Sequence, residues 1–103
     1  MKVVLSVMWT NPKEPERNKK RYAHQNNVSE PYAEKKTKEG VKWIRSSWAD
    51  GSGLMLAWYE FESLEDFNKV WGDDEFQSNL SRWSFYVDNC KIKIWRPQVH
   101  ARL

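Results

Sequence analysis

One cysteine, Cys90, in 103 residues excludes an internal disulfide framework and fits a reducing compartment, so a cytoplasmic location is expected. Histidine is nearly as scarce. His24 and His100 are the only two, and neither has a second His, Cys or carboxylate at metal-ligand spacing. No metal and no cofactor are therefore expected. The four glycines fall at turns and helix ends, which excludes a phosphate-cradling loop or a dinucleotide fingerprint. No apolar stretch approaches the roughly 18–20 residues of a membrane helix. The short run from Val3 to Trp9 has no small-residue cleavage pattern after it and reads as a buried strand rather than a signal peptide.

Rings are what the chain has in abundance: seven Trp, four Tyr and four Phe. A chain of this length is one domain, and folding it buries roughly two-thirds of the unfolded surface. So many bulky side chains point to a second buried zone, at an interface or around a ligand. Charge is uneven. Residues 11–40 carry eight Lys/Arg against five Glu, the rest carries nine of each sign, and the net +3 lies in that segment. The interspersed Glu14, Glu16, Glu30 and Glu34 favour a solvated, ion-paired helix face. The alternative is a nucleic-acid surface through Arg17–Arg21.

Residues 2–10 alternate with both faces mostly apolar, the mark of a central strand covered on two sides. A polar helix is predicted from Pro15 to Asn26, its thin apolar stripe formed by Tyr22 and Ala23. Past Asn26-Asn27, a fresh start at Ser29-Glu30-Pro31 predicts a second helix from Pro31 to Lys38, stopped by Gly40. Val41–Ala49 and Leu54–Glu62 form a hairpin about Asp50-Gly51-Ser52-Gly53. Ser63 caps a helix bearing Leu64, Phe67, Val70 and Trp71. Gly72 interrupts, and Asp73-Asp74-Glu75 opens another with Phe76, Leu80 and Trp83. The last strand is Tyr86–Arg96, ended by Pro97, with Cys90, Ile92 and Ile94 on one side and a tail at 98–103.

The order β-α-β-β-α-β predicts an α+β, ferredoxin-like antiparallel sheet over residues 1–97, with helices on one face. An even hairpin loop sets Arg45 opposite Trp58 and Trp43 opposite Glu60. One face then carries Trp43, Arg45, Leu56, Trp58 and Glu60, and a second copy's sheet is its expected cover. Arg45 and Glu60 come within diagonal reach there. Once covered, both must pair or bind something polar.

Several short pieces carry a family resemblance: Met1-Lys2-Val3-Val4 with Trp9-Thr10, Arg21-Tyr22, Glu39-Gly40-Val41-Lys42, and Ser47-Trp48 with Gly51 and Gly53. Trp71, Trp83 and the closing strand to Pro97 complete the set. The chain resembles the dimeric α+β barrel superfamily and, within it, an uncharacterised domain-of-unknown-function family. The resemblance implies a homodimer with two sheets packed face to face, and a cavity between sheet and helices or at the barrel mouth. Superfamily members include cofactor-free monooxygenases, haem-handling enzymes and isomerases, so the fold leaves the reaction open. Two features depart from the family pattern: a longer stretch between Tyr22 and Glu39, and Trp48-Ala49 where an aromatic-plus-His pair is often found.

The expected site comprises Trp43, Arg45, Trp58 and Tyr86 as binding groups, with Glu60 and Tyr59 as proton-transfer groups. Arg45 anchors an anion, Glu60 or a Tyr moves a proton, and the rings stack on an aromatic or acidic small molecule. The protein is then a small-molecule binder, or a cofactor-free monooxygenase- or isomerase-like enzyme. The alternative is a non-catalytic homodimeric structural or interaction protein in which Arg45 and Glu60 form only an interface salt bridge. An RNA-recognition module shares the element order, but Ala57 stands where a stacking ring belongs and Glu60 repels phosphate. Cys90 reads as a core thiol. His24 and His100 read as surface residues, with haem ligation by His24 only an analogy to the superfamily.

Overall fold

In the computed structural model, which describes residues 1–97, the chain runs β1 (Val3–Thr10), α1 (Pro15–His24), a π-helical turn (Gln25–Ser29), α2 (Glu30–Lys38) and β2 (Trp43–Ala49). It continues with β3 (Leu54–Phe61), α3 (Leu64–Trp71), α4 (Asp74–Ser84) and β4 (Asp88–Trp95). The strands form one antiparallel sheet in the order β2-β3-β1-β4, the expected ferredoxin-like architecture. β1 is central, and its Val3, Leu5, Val7 and Trp9 are buried. Two ring-rich clusters form on that side of the sheet. One gathers Val3, Leu5, Tyr32, Phe61, Phe67 and Val70; the other sets Trp9 edge-on to Trp83 at 4.8 Å, with Val7 and Val87. The tail at 98–103, with His100, lies outside the described residues.

The expected break between the first two helices does not form. Backbone angles stay helical through Ser29 (φ −66°, ψ −47°) and Glu30 (φ −66°, ψ −46°). A π turn makes this continuity tolerable: the Glu30 N–H donates to the Gln25 carbonyl, five residues back. The wider turn loosens the ladder where Pro31 lacks an N–H and its ring would press on the preceding turn. α2 stops at Gly40 (φ +101°), and the Val41 N–H donates to the Lys36 carbonyl at 3.1 Å. On α1 the inward-facing residues are not Tyr22 and Ala23, which are exposed, but Arg21 and His24. With no apolar set at helical spacing, this helix turns polar side chains inward, and of the two Arg21 is the better partnered. Arg21 Nε donates to Asn18 Oδ1 at 3.0 Å, and its guanidinium lies 4.0 Å over the Tyr22 ring.

The two later helices start as expected. Ser63 Oγ accepts from the Asp66 N–H at 3.1 Å, and Asp73 Oδ1 accepts from the Glu75 N–H at 3.1 Å. Gly72 separates them, and a Cβ there would lie only 2.9 Å from the Asn68 carbonyl oxygen.

The hairpin register differs by one residue from the even-loop expectation. Asp50 N–H donates to the Leu54 carbonyl at 3.1 Å, leaving Gly51-Ser52-Gly53 as an odd loop. Ala49 therefore pairs with Met55, Arg45 with Tyr59 and Trp43 with Phe61. Asp50 is the cause. Its Oδ1 accepts from the Ser52 N–H at 2.8 Å and the Leu54 N–H at 3.1 Å, and Gly51 (φ +86°) and Gly53 (φ +102°) supply the left-handed backbone. Side chains alternate with period two, so the slip re-sorts both faces. Trp43 and Arg45 share the helix-covered face with Ala57, Tyr59 and Phe61. Trp58 and Glu60 share the outer face with Ile44, Ser46 and Trp48. Ile44 is 65% and Trp48 61% exposed there. Among the described residues, no helix is long and apolar enough to cross a membrane.

Candidate functional site

A cavity of about 520 Å³ lies between the helix-covered face of the sheet, the π turn with α2, and α4. Val7, Trp9, Trp43, Arg45, Ala57 and Tyr59 form its floor. Ser29, Glu30 and Tyr32 contribute one wall, and Phe76, Leu80 and Trp83 the other. The lining is aromatic, with a few polar groups, as ligand sites commonly are.

Strand pleating delivers the floor, because Trp43, Arg45 and Tyr59 project to the same side. The Trp43 and Tyr59 rings stack with centroids 6.1 Å apart, and Trp43 Nε1 donates to Thr37 Oγ1 at 2.8 Å. That bond fixes the indole against α2. The Arg45 guanidinium lies 5.6 Å from the Trp43 ring, and its Nη1 donates to both carboxylate oxygens of Glu30, at 3.1 and 3.3 Å. Burial raises the Tyr59 pKa; the Arg45 cation opposes this and the Glu30 carboxylate adds to it. Tyr59 is thus a neutral phenol able to donate a hydrogen bond.

Behind the wall sits His24, only 6% exposed rather than on the surface as expected. Its Nδ1 lies 3.4 Å from Ser29 Oγ, its ring 6.0 Å from that of Tyr86, and its Nε2 is buried without a partner among the described residues. Burial, and secondarily the Arg82 cation, lowers its pKa, so the imidazole is neutral at pH 7.

Of the site residues anticipated from the sequence, Trp43, Arg45 and Tyr59 come together in the cavity. Trp58 and Glu60 do not, because the odd loop turns them to the outer face. The expected pairing of Arg45 with Glu60 is absent: Arg45 pairs with Glu30, and Glu60 with Lys2 at 3.1 Å. Tyr86 follows α4 and packs near His24, outside the lining. Glu30 and Ser29 were hidden by their reading as a helix start. The missed signal was the Asp50 Asx-turn, which makes the hairpin loop odd. Arg17 is engaged within the fold, donating to the Phe85 and Val87 carbonyls and to Asp88 at 3.2, 2.9 and 2.9 Å. With Arg21 buried as well, the proposed phosphate surface loses two of its cations. Cys90 is half-buried against the Trp9–Trp83 cluster rather than in the core, and that burial raises its thiol pKa. Among the described residues no group of His, Cys, Asp and Glu is arranged to hold a metal ion.

No family model matches the chain, and no curated protein matches it either. Solved structures do. Rv0793 from Mycobacterium tuberculosis aligns with a TM-score of 0.64 and 12% identity over 99% of this chain and 100% of that one. A NIPSNAP family protein from Agrobacterium tumefaciens aligns at 0.58 and 14%, over 100% and 99%. SnoaB, a cofactor-independent oxygenase from Streptomyces nogalater, aligns at 0.62 and 10%, over 98% of each chain. Identities this low speak for architecture alone: the chain shares the ferredoxin-like α+β fold of these structures.

Proposed function

We propose that the protein binds a small aromatic molecule carrying an acidic group in the cavity beneath its sheet, and that it does so as a homodimer. The cavity carries this reading. Its volume falls within the roughly 300–1,000 Å³ of small-molecule sites, and its floor sets the Trp43 and Tyr59 rings beside the guanidinium of Arg45. The rings offer apolar faces to an aromatic ligand. Arg45 already holds one carboxylate, that of Glu30, so an incoming anion shares or takes that place. The neutral Tyr59 phenol donates to the ligand's polar edge. In its enzymatic form the reading is cofactor-free oxygenation or isomerisation, with Tyr59 and the Arg45–Glu30 pair handling the proton. The fold shared with SnoaB supports that form.

The second copy is assigned to the outer face, where Ile44 and Trp48 are largely bare and Trp58 lies alongside. Glu60, on the same face, then belongs with the contact between copies rather than with the ligand. Arg45 pairs within its own chain, so an interface role for that cation has no support.

Tryptophan fluorescence tests the reading, by titration with salicylate, 1-naphthoate and indole-3-acetate. Saturable quenching by at least one acid is expected. Arg45→Ala should weaken it at least tenfold and leave the oligomeric state unchanged. Silence from the whole panel, or an Arg45→Ala response equal to wild type, removes the ligand assignment.

A further inference from the structure

Ser29 closes the π turn and lines the cavity, and behind it Ser29 Oγ meets His24 Nδ1 at 3.4 Å. Five residues separate the two. At about 100° per residue an α-helix would splay such a pair about 140° apart, whereas the wider π turn returns them to one side. The His24 ring is otherwise walled in. Tyr86 lies 6.0 Å away, the Arg82 cation acts on it from α4, and Nε2 has no partner among the described residues. A buried nitrogen left unpaired is a standing cost to the fold. Nothing in ligand binding by Arg45 and Tyr59 accounts for it.

We propose that Ser29 and His24 form a proton relay for a hydroxyl-bearing ligand in the cavity, with Ser29 meeting the ligand and His24 acting as the positioning base behind it. The ligand O–H gives its proton to Ser29 Oγ as the Ser29 O–H passes its own to His24 Nδ1. One ligand O–H bond breaks, one imidazole N–H bond forms, and Ser29 ends as it began. The ligand is left as an oxyanion and His24 as the imidazolium that balances it, since the Arg45 charge is already balanced by Glu30. Burial and Arg82 disfavour the imidazolium, so the proton returns readily when the ligand reclaims it. The relay needs the tautomer with hydrogen on Nε2, which leaves Nδ1 free to accept.

The inference rests on the cavity being the ligand site, but its test needs no ligand. In the full chain with ¹⁵N-labelled imidazoles, long-range ¹H–¹⁵N spectra at pH 7 should show His24 neutral, protonated on Nε2, with an Nδ1 resonance that moves in Ser29→Ala. Phenylmethanesulfonyl fluoride then probes the hydroxyl. The Ser29 Oγ–S bond forms, the S–F bond breaks with loss of fluoride, and the Ser29 proton goes to His24. Mass spectrometry should find Ser29 labelled, and labelled at least tenfold more slowly in His24→Gln. The tautomer is read in the wild-type chain, so the test stands even if His24→Gln does not fold. A His24 ring protonated on Nδ1, a Ser29 left unlabelled, or equal rates in the two chains overturns the relay. An intact response to aromatic acids alongside such a result sinks the relay and spares the ligand assignment.

Discussion

Replacing Asp73 by Asn tests how the two helical walls of the cavity are held together. Asp73 caps α4 and reaches across to α2, where its Oδ2 accepts from the Tyr32 hydroxyl at 2.7 Å and pairs with Lys36 Nζ at 2.9 Å. Tyr32 and Phe76, on either side of this knot, both line the cavity. The Tyr32 hydrogen bond and then the Lys36 ammonium lower the Asp73 pKa from the ordinary 3.8 to about 2. The side chain is only 25% exposed, so solvent screening removes little of the effect. Each pKa unit corresponds to about 1.4 kcal/mol, and the ionised form therefore contributes on the order of 2 kcal/mol to the folded state. The folded pKa is depressed, so this contribution is complete above the unfolded value near 4 and is lost as pH falls towards 2. Asn keeps the size and the capping oxygen but not the charge. Urea unfolding at pH 7 should put Asp73→Asn about 2 kcal/mol below wild type, and the gap should shrink to about half by pH 3. Equal stabilities at pH 7, or a gap unchanged down to pH 3, would show that the charge does not bind the walls.

Gly53→Ala should cost about 1–2 kcal/mol in the same assay. An added Cβ there meets nothing within 4 Å, so the whole cost comes from the φ of +102°, and an unchanged midpoint would argue against the left-handed turn. The double change Ile44→Glu and Trp48→Glu should convert a dimer into a monomer in sedimentation velocity, with the circular dichroism spectrum retained; a wild-type chain that sediments as a monomer refutes the outer-face contact.

The sheet order was legible because β1 is apolar on both sides, and the later helix starts were legible in the Ser63 cap and the acidic run at Asp73. The site was only half legible. Trp43 and Arg45 were picked out as part of one mixed strand face, yet a loop counted one residue too long put Trp58 and Glu60 on that face and Tyr59 on the other. Which face a strand residue takes depends on the parity of a turn, and here one Asp50 carboxylate oxygen holding two backbone N–H groups decides it. His24 was missed for a different reason. A polar helix with no apolar stripe gives no sign of which side it turns inward, and burial there is settled by the sheet beneath it. Pro31 misled in the same way, because its usual meaning as a helix start holds only if the turn before it is of ordinary width.

That wide turn also limits how the chain can change. Losing one residue between Gln25 and Ser29 would restore an even hydrogen-bond ladder to the helical stretch, but everything after the cut would swing by about 100° and draw back about 1.5 Å. Glu30 would let go of Arg45, Tyr32 would leave Asp73, and Thr37 would abandon the indole of Trp43. A smoother helix and this chamber are thus mutually exclusive here, and a shortened relative should either lack the chamber or have rebuilt its opposite side.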